Sequence, residues 1–306
     1  MQQSDRVGLL FALAGFCLLS VSDAVVKSMA DEWTPTALAA VRYTIGAVGL
    51  SALLLAREGT APLRSVPKPG IQFLRGFGIA LATVTFFGSV WLMPLADAVA
   101  ITFFQPMITA ILAAIFLGER LQAGKIGAII IAFAGVLVVL RPNFADIGFA
   151  ALLPLICATG MAVLMTANRA VRGAGSALAA QAYAAIGSAA LLVPLAFAAA
   201  RSGYAEVAFF WPEWHVLART CMVALLASIA HWLIFKGTQR AGAATVAPMT
   251  YVQILLATIL AWIFFGEAPD PTALGGAALI IIAGLWLWQM GRGADAAAAR
   301  KAEASA

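Results

Sequence analysis

The chain has 306 residues, of which 63% are hydrophobic and only 11% charged, and its mean hydropathy is +0.95. Soluble domains carry about 25% charged residues, so most of this surface must face lipid; disorder, collagen, coiled coil and disulfide scaffolds are excluded. The net charge of +5 does not point to nucleic acid, because no basic cluster is interleaved with aromatics.

A bilayer core about 30 Å thick takes about 20 apolar residues per helix. Ten such runs occur, at 7–27, 35–56, 72–94, 98–117, 123–140, 148–168, 178–200, 216–235, 245–265 and 272–290. The expected fold is all-α, a polytopic membrane protein of ten transmembrane helices. The breaks are short turn or charge segments, and the tail from Gly291 reads as a cytosolic end. Arg6 ahead of the first run resembles a signal peptide, but Asp23 and Lys27 follow where a cleavage region is small and neutral. The first run is therefore read as a retained span.

Spans 1 and 2 carry charges at depth. At 1.5 Å per residue, Asp23 and Arg42 lie at similar depth on neighbouring antiparallel helices. A charge at mid-membrane costs at least about 2.5–3.5 kcal/mol, so an Asp23–Arg42 pair is expected. It acts either as a packing contact or as a gate or substrate-facing group. Lys27, one turn above Asp23, either joins the pair or snorkels outward. Span 4 places Thr102, Gln105 and Thr109 on one helical face, and Pro106 frees the Thr102 carbonyl. Span 9 places Thr250 and Gln253 on one face, with Pro248 freeing the Ala244 carbonyl. Polar groups and free carbonyls of this kind either line a solute cavity or join helices. His231 in span 8 is read as a proton relay or a local hydrogen-bond donor. Tyr43, Tyr183 and Tyr251 either stack on a planar solute or pack at interfaces. Trp33, Trp211, Trp214, Trp286 and Trp288 read as belt anchors. Cys17, Cys157 and Cys221 share no metal spacing and read as buried thiols.

Threading ten spans from a cytosolic N-terminus puts 14 Lys and Arg on the inner side and 5 outside, together the 19 present. Both termini are therefore expected in the cytosol.

The chain repeats itself. Residues 95–119 match 243–267 at 10 of 25 positions, including Thr102, Gln105, Gly118 and Glu119. ALAAVRY at 37–43 matches ALAAQAY at 177–183 at 5 of 7 positions. Spans 1–5 (residues 1–142) thus duplicate as spans 6–10 (143–290), followed by the tail 291–306. Because five is odd, the second copy enters the membrane inverted. Two such units can exchange conformations at little net cost, which is the basis of alternating access. The second copy has Val163 and Ala182 where the first has Asp23 and Arg42.

The run PLADAVAITFFQPMITAILAAIFLGERLQAGKIGAIIIAFAGVLVVLRP (94–142), its second copy through 239–290 and the paired GE endings at 118–119 and 266–267 resemble the EamA domain of the drug/metabolite transporter (DMT) superfamily. SDAVVK (22–27), VRY (41–43) and PLADAVAITF resemble the branch that holds S-adenosylmethionine uptake transporters and bacterial riboflavin transporters. The resemblance implies a secondary transporter in a bacterial inner membrane, moving a small organic solute. Candidate solutes are S-adenosylmethionine-like, riboflavin-like or amino-acid-like. Its other partner is the lipid bilayer, and homodimerisation is left open. No catalytic residue, metal or cofactor is expected, since HExxH, GxSxG and Walker A motifs are absent. A membrane-embedded enzyme and a non-transporting scaffold are the competing classes.

Overall fold

A computed structural model describes residues 3–118, 123–171, 175–204, 208–241 and 246–303, with side chains described from Arg6 to Met290 except at Leu117, Pro142, Phe235 and Gln239. Glu119, Arg120, Arg172 and Ala244, which figured in the sequence reading, lie outside the described residues.

Ten helices among the described residues are long and apolar enough to cross a membrane. They are Arg6–Lys27, Pro35–Glu58, Pro69–Leu92, Leu95–Phe116, Ala123–Arg141, Asn143–Ala170, Ala177–Ala200, Trp214–Thr238, Ala247–Phe265 and Pro271–Met290, here spans 1 to 10. The sixth is counted from Asn143, five residues before the expected 148, because the helix of span 5 runs on to Ile147 before a 3-10 turn at Gly148–Leu152 leads into the helix Leu153–Ala170. Local chemistry sets several ends. Thr34 accepts a hydrogen bond from the Ala37 N–H at 3.4 Å and Pro35 occupies the first helical position of span 2, where its missing N–H costs nothing. Ser176 caps span 7 from the Ala179 N–H at 3.0 Å.

The GE endings have a conformational cause. Gly118 and Gly266 close spans 4 and 9 with φ of 69° and 66°, the left-handed cap that glycine adopts without a side-chain penalty. After Gly266 the chain turns, and Glu267 accepts a hydrogen bond from the Leu95 N–H at 3.0 Å. That N–H is one of the donors a helix start leaves without an intrahelical partner.

The helices form two compact units, each drawing on both halves of the sequence. The first comprises residues 1–21, 94–146 and 227–306; the second comprises 22–93 and 147–226. Backbones meet inside each unit at glycines, as expected where lipid supplies no hydrophobic drive and close packing must hold helices together. In the second unit span 3 crosses span 6 at Gly78 and Gly160, and approaches span 7 at Gly76 and Gly187. In the first unit span 1 crosses span 8 at Gly8 and Gly237, and span 5 crosses span 10 at Gly135 and Gly276.

Several expected roles change. Trp33 is not a belt anchor: it is 2% exposed, donates its indole N–H to the Phe210 carbonyl at 2.9 Å and meets Phe209 edge-on. Trp211 and Trp214 do stand exposed. Of the three thiols, Cys157 is buried, Cys17 half-buried and Cys221 exposed on span 8.

Candidate solute site

The polar positions of span 4 sit at a break. The span is a helix from Leu95 to Thr102, a turn at Phe103–Phe104, and a second helix from Gln105 to Leu117. Pro106 has no N–H to give to the Thr102 carbonyl. The chain tightens there, with Phe103 N–H on Ala100 at 3.2 Å and Phe104 N–H on Ile101 at 3.0 Å. The continuous helical face expected through Thr102, Gln105 and Thr109 is therefore broken after Thr102.

Span 9 departs from regular α-helix over a stretch that ends at the matching place. It opens as a 3-10 turn, Ala247–Tyr251, with Pro248 near its start, and becomes α-helical at Val252. At the repeat offset, Thr102, Phe103 and Gln105 correspond to Thr250, Tyr251 and Gln253. The two breaks meet: the Phe103 and Tyr251 rings lie 5.4 Å apart, tilted at 38°. Tyr251 also lies against Gly284 of span 10, where any side chain would collide with its hydroxyl. Packing thus accounts for this tyrosine's position.

Around the breaks the polar groups are neutral. Gln105 donates its amide to the Thr109 hydroxyl at 2.9 Å, and that hydroxyl donates to the Gln105 carbonyl at 2.9 Å. Thr102 donates to the Val99 carbonyl at 2.6 Å. Thr250 donates to the Gln253 side-chain oxygen at 3.3 Å, and Ser20 donates to the Gln253 backbone carbonyl at 3.3 Å. Thr109 is buried, whereas Thr102, Gln105, Thr250 and Gln253 are half-buried. His231, in the same unit, is exposed and donates from Nδ1 to the Ala227 carbonyl one turn back at 2.6 Å.

The charged positions belong to the second unit. Arg42 lies over the Tyr43 ring at 5.3 Å and the Phe87 ring at 5.5 Å. It makes no ion pair with Asp23 within 4.0 Å, although the two charges act on one another through space. The guanidinium rests against aromatic faces instead. Lys27 donates to the Met93 carbonyl at 2.9 Å. Tyr43 accepts a hydrogen bond from Thr83 at 3.1 Å. Tyr183 donates to the Pro62 carbonyl at 2.6 Å and packs with Leu54, Ala179 and Ala182, so its role is packing.

Two clusters escaped the sequence reading. Arg75, counted there only as a topology charge, is 5% exposed. It donates to Gln72, to the Asn168 side chain at 2.6 Å and to the Ala180 carbonyl at 3.0 Å, joining spans 3, 6 and 7. Its spacing from Gln72, one helical turn, was the only local signal. The second cluster lies in the turn after span 1. Glu32 accepts from Arg219 and contacts His215 at 2.7 Å, and His215 lies 3.2 Å from Glu213.

The Arg219 hydrogen bond, followed by that of His215, holds the Glu32 carboxyl below its usual range. A carboxylate with a lowered folded-state pKa contributes stability above its unfolded pKa and loses it as pH falls through the folded value. Arg219→Gln is therefore expected to lower the unfolding temperature at pH 7. The cost should be at most about 1 kcal/mol for a partly exposed pair screened by solvent, and should shrink below about pH 4. Thermal unfolding of both forms from pH 3 to 7 checks this; a difference constant across that range contradicts it.

The chain matches the profile of the EamA-like transporter family over residues 6–141 and again over 148–288. It belongs to that family, a family of membrane transporters. It is 27% identical over 222 residues to an S-adenosylmethionine uptake transporter of Rickettsia bellii, covering 72% of each chain. It is 28% identical over 234 residues to a riboflavin transporter of Rhizobium johnstonii, covering 76% of this chain and 74% of the relative. It is 25% identical over 281 residues to the pseudopaline exporter CntI of Pseudomonas aeruginosa, covering 91% and 94%. A solved crystal structure superposes with a TM-score of 0.62 at 21% identity, over 93% of this chain and 98% of that one, a likeness of fold.

Proposed function

We propose that this chain is a secondary transporter that moves a small organic metabolite by alternating access of two inverted five-span repeats. The observation that carries the reading is that spans 4 and 9 both depart from regular α-helix at corresponding positions, by the turn at Phe103–Phe104 in one and the 3-10 turn ending at Tyr251 in the other. Matched interruptions in two repeats are where transporters of inverted architecture place their solute, because a broken helix offers backbone groups to it. Thr102, Gln105, Thr250 and Gln253 supply neutral hydrogen-bonding groups there, which bind a polar solute without the desolvation cost of a buried charge.

The crossings inside the units support the duplication. Exchanging repeats maps span 3 onto 8 and span 6 onto 1. The span 3–span 6 crossing of one unit then corresponds, as a pair of spans, to the span 8–span 1 crossing of the other, with glycines at both crossings but not at equivalent repeat positions. Likewise the Phe103–Tyr251 contact joins spans 4 and 9, which map onto one another. An enzymatic reading has no such support, since no catalytic motif accompanies these groups.

S-adenosylmethionine-like, riboflavin-like and amino-acid-like solutes are the candidates, from the relatives' names and the neutral polar lining. Counterflow in proteoliposomes tests the reading: preloaded unlabelled solute should drive transient accumulation of labelled solute from at least one class. Absence of counterflow across all three contradicts it. Both termini are assigned to the cytosol from the lysine and arginine bias. Reporter fusions after Arg57 and Gly291 should report cytosol, and one after Ser202 the outside; any reversal breaks the threading.

A further inference from the structure

We infer that Asp23 and Arg42 form a clamp for the zwitterionic headgroup of an α-amino-acid-type solute, Asp23 taking the ammonium and Arg42 the carboxylate. This rests on the transporter reading above and names the class of its solute.

Both groups lie in membrane spans of the second unit and are half-buried. Among the described residues neither makes a hydrogen bond or an ion pair within 4.0 Å. A carboxylate offers about four acceptor sites and a guanidinium five donors, and both sets are unused. An ion inside a membrane needs a partner or a wet cavity. The obvious partner for each is the other, yet Arg42 is held by the Tyr43 and Phe87 rings instead. Those rings are themselves fixed. Thr83 holds the Tyr43 hydroxyl, and Phe87, 2% exposed, stacks on Trp91 at 6.3 Å. The nearest other cation on span 1, Lys27, is committed to the Met93 carbonyl.

Two opposite charges kept apart in a low-dielectric region are satisfied together by a solute carrying both signs. The solute's ammonium donates to the Asp23 carboxylate, and its carboxylate accepts two parallel hydrogen bonds from the guanidinium fork. The bound headgroup itself adds no net charge to the membrane interior. Solutes with one charge leave one residue unmet. The clamp exists in one repeat only, since Val163 and Ala182 occupy the corresponding positions. One headgroup is therefore bound in one orientation, and the rest of the solute is free to vary.

The test is equilibrium binding to the purified full chain. Probes are L-methionine, S-adenosylmethionine and S-adenosylhomocysteine, then N-acetylmethionine and methionine methyl ester, then riboflavin. The clamp predicts that at least one intact zwitterion binds. Where that zwitterion is methionine, both blocked forms bind at least tenfold more weakly. For the zwitterion that binds, Asp23→Asn and Arg42→Gln each weaken binding at least tenfold while riboflavin affinity stays unchanged. Should the variants unfold, S-adenosylmethionine against its decarboxylated form and 5′-methylthioadenosine, on the unaltered chain, gives the same decision. Equal binding of blocked and intact forms, or binding of no zwitterion, overturns the clamp. Riboflavin counterflow would then leave the transporter reading standing, whereas no counterflow of any solute would remove both.

Discussion

Replacing Gln105 and Gln253 by Leu is expected to cut the initial counterflow rate by about three- to tenfold each, and further in combination. A neutral hydrogen bond is worth about 0.5–1.5 kcal/mol, which sets that range. Leu fills a similar volume, so membrane abundance should stay near that of the unaltered chain. Removal of the Gln105 amide takes one donor from Thr109, but the Thr109 hydroxyl keeps its bond to the Gln105 backbone carbonyl, so the helix itself is undisturbed. Gln253 contributes its side-chain oxygen to Thr250, and its backbone bond from Ser20 survives substitution. Initial rates at matched protein density check the prediction. Full transport by the double variant would remove both glutamines from the solute site and leave the fold untouched.

Valine at Gly78 is expected to be far more damaging to the protein itself. A Cβ there would stand 2.6 Å from the Gly160 carbonyl oxygen and 3.0 Å from the Leu164 nitrogen. These are backbone atoms and cannot rotate away. Spans 3 and 6 would have to separate, and with them the contacts of the second unit's interior. Overpacking of a tight core costs about 1–3 kcal/mol where side chains can adjust, and here they cannot. Gly78→Val should therefore give little folded protein, and Gly160→Val the same, since its Cβ would meet the Gly78 carbonyl at 2.6 Å. Gly46→Ala in span 2, where nothing lies within 4 Å, is the control and should express normally. Yield of monodisperse protein by size-exclusion chromatography distinguishes them. Equal yields from Gly78→Val and Gly46→Ala would contradict the described crossing.

The spans were legible because bilayer thickness and hydropathy fix helix length directly. The duplication was legible because the GE endings and the Thr–Gln spacing survive in both copies. Pro106 and Pro248 announced lost hydrogen bonds, but periodicity treated each span as one helix. Where span 4 breaks depends on how Phe103 and Phe104 pack, and Phe103 packs on Tyr251, 148 residues away. The Asp23–Arg42 expectation came from depth alone. Depth cannot reveal that Arg42 rests on Phe87, a residue 45 positions on. The contacts of Arg75 were hidden for the same reason: its partners Asn168 and Ala180 lie on other helices. The interleaving of both sequence halves within each unit was also invisible. Hydropathy states which segments enter the membrane and is silent on which of them touch.

Thiol accessibility at the two breaks tests the central claim most directly. In a chain whose three cysteines are replaced, Thr102→Cys and Thr250→Cys are made separately and exposed to a water-soluble maleimide in oriented vesicles. If the breaks line one aqueous solute site, both positions react, and a solute active in counterflow protects both over the same concentration range. Two positions that no aqueous reagent reaches, or protection of one without the other, would contradict a shared site at spans 4 and 9.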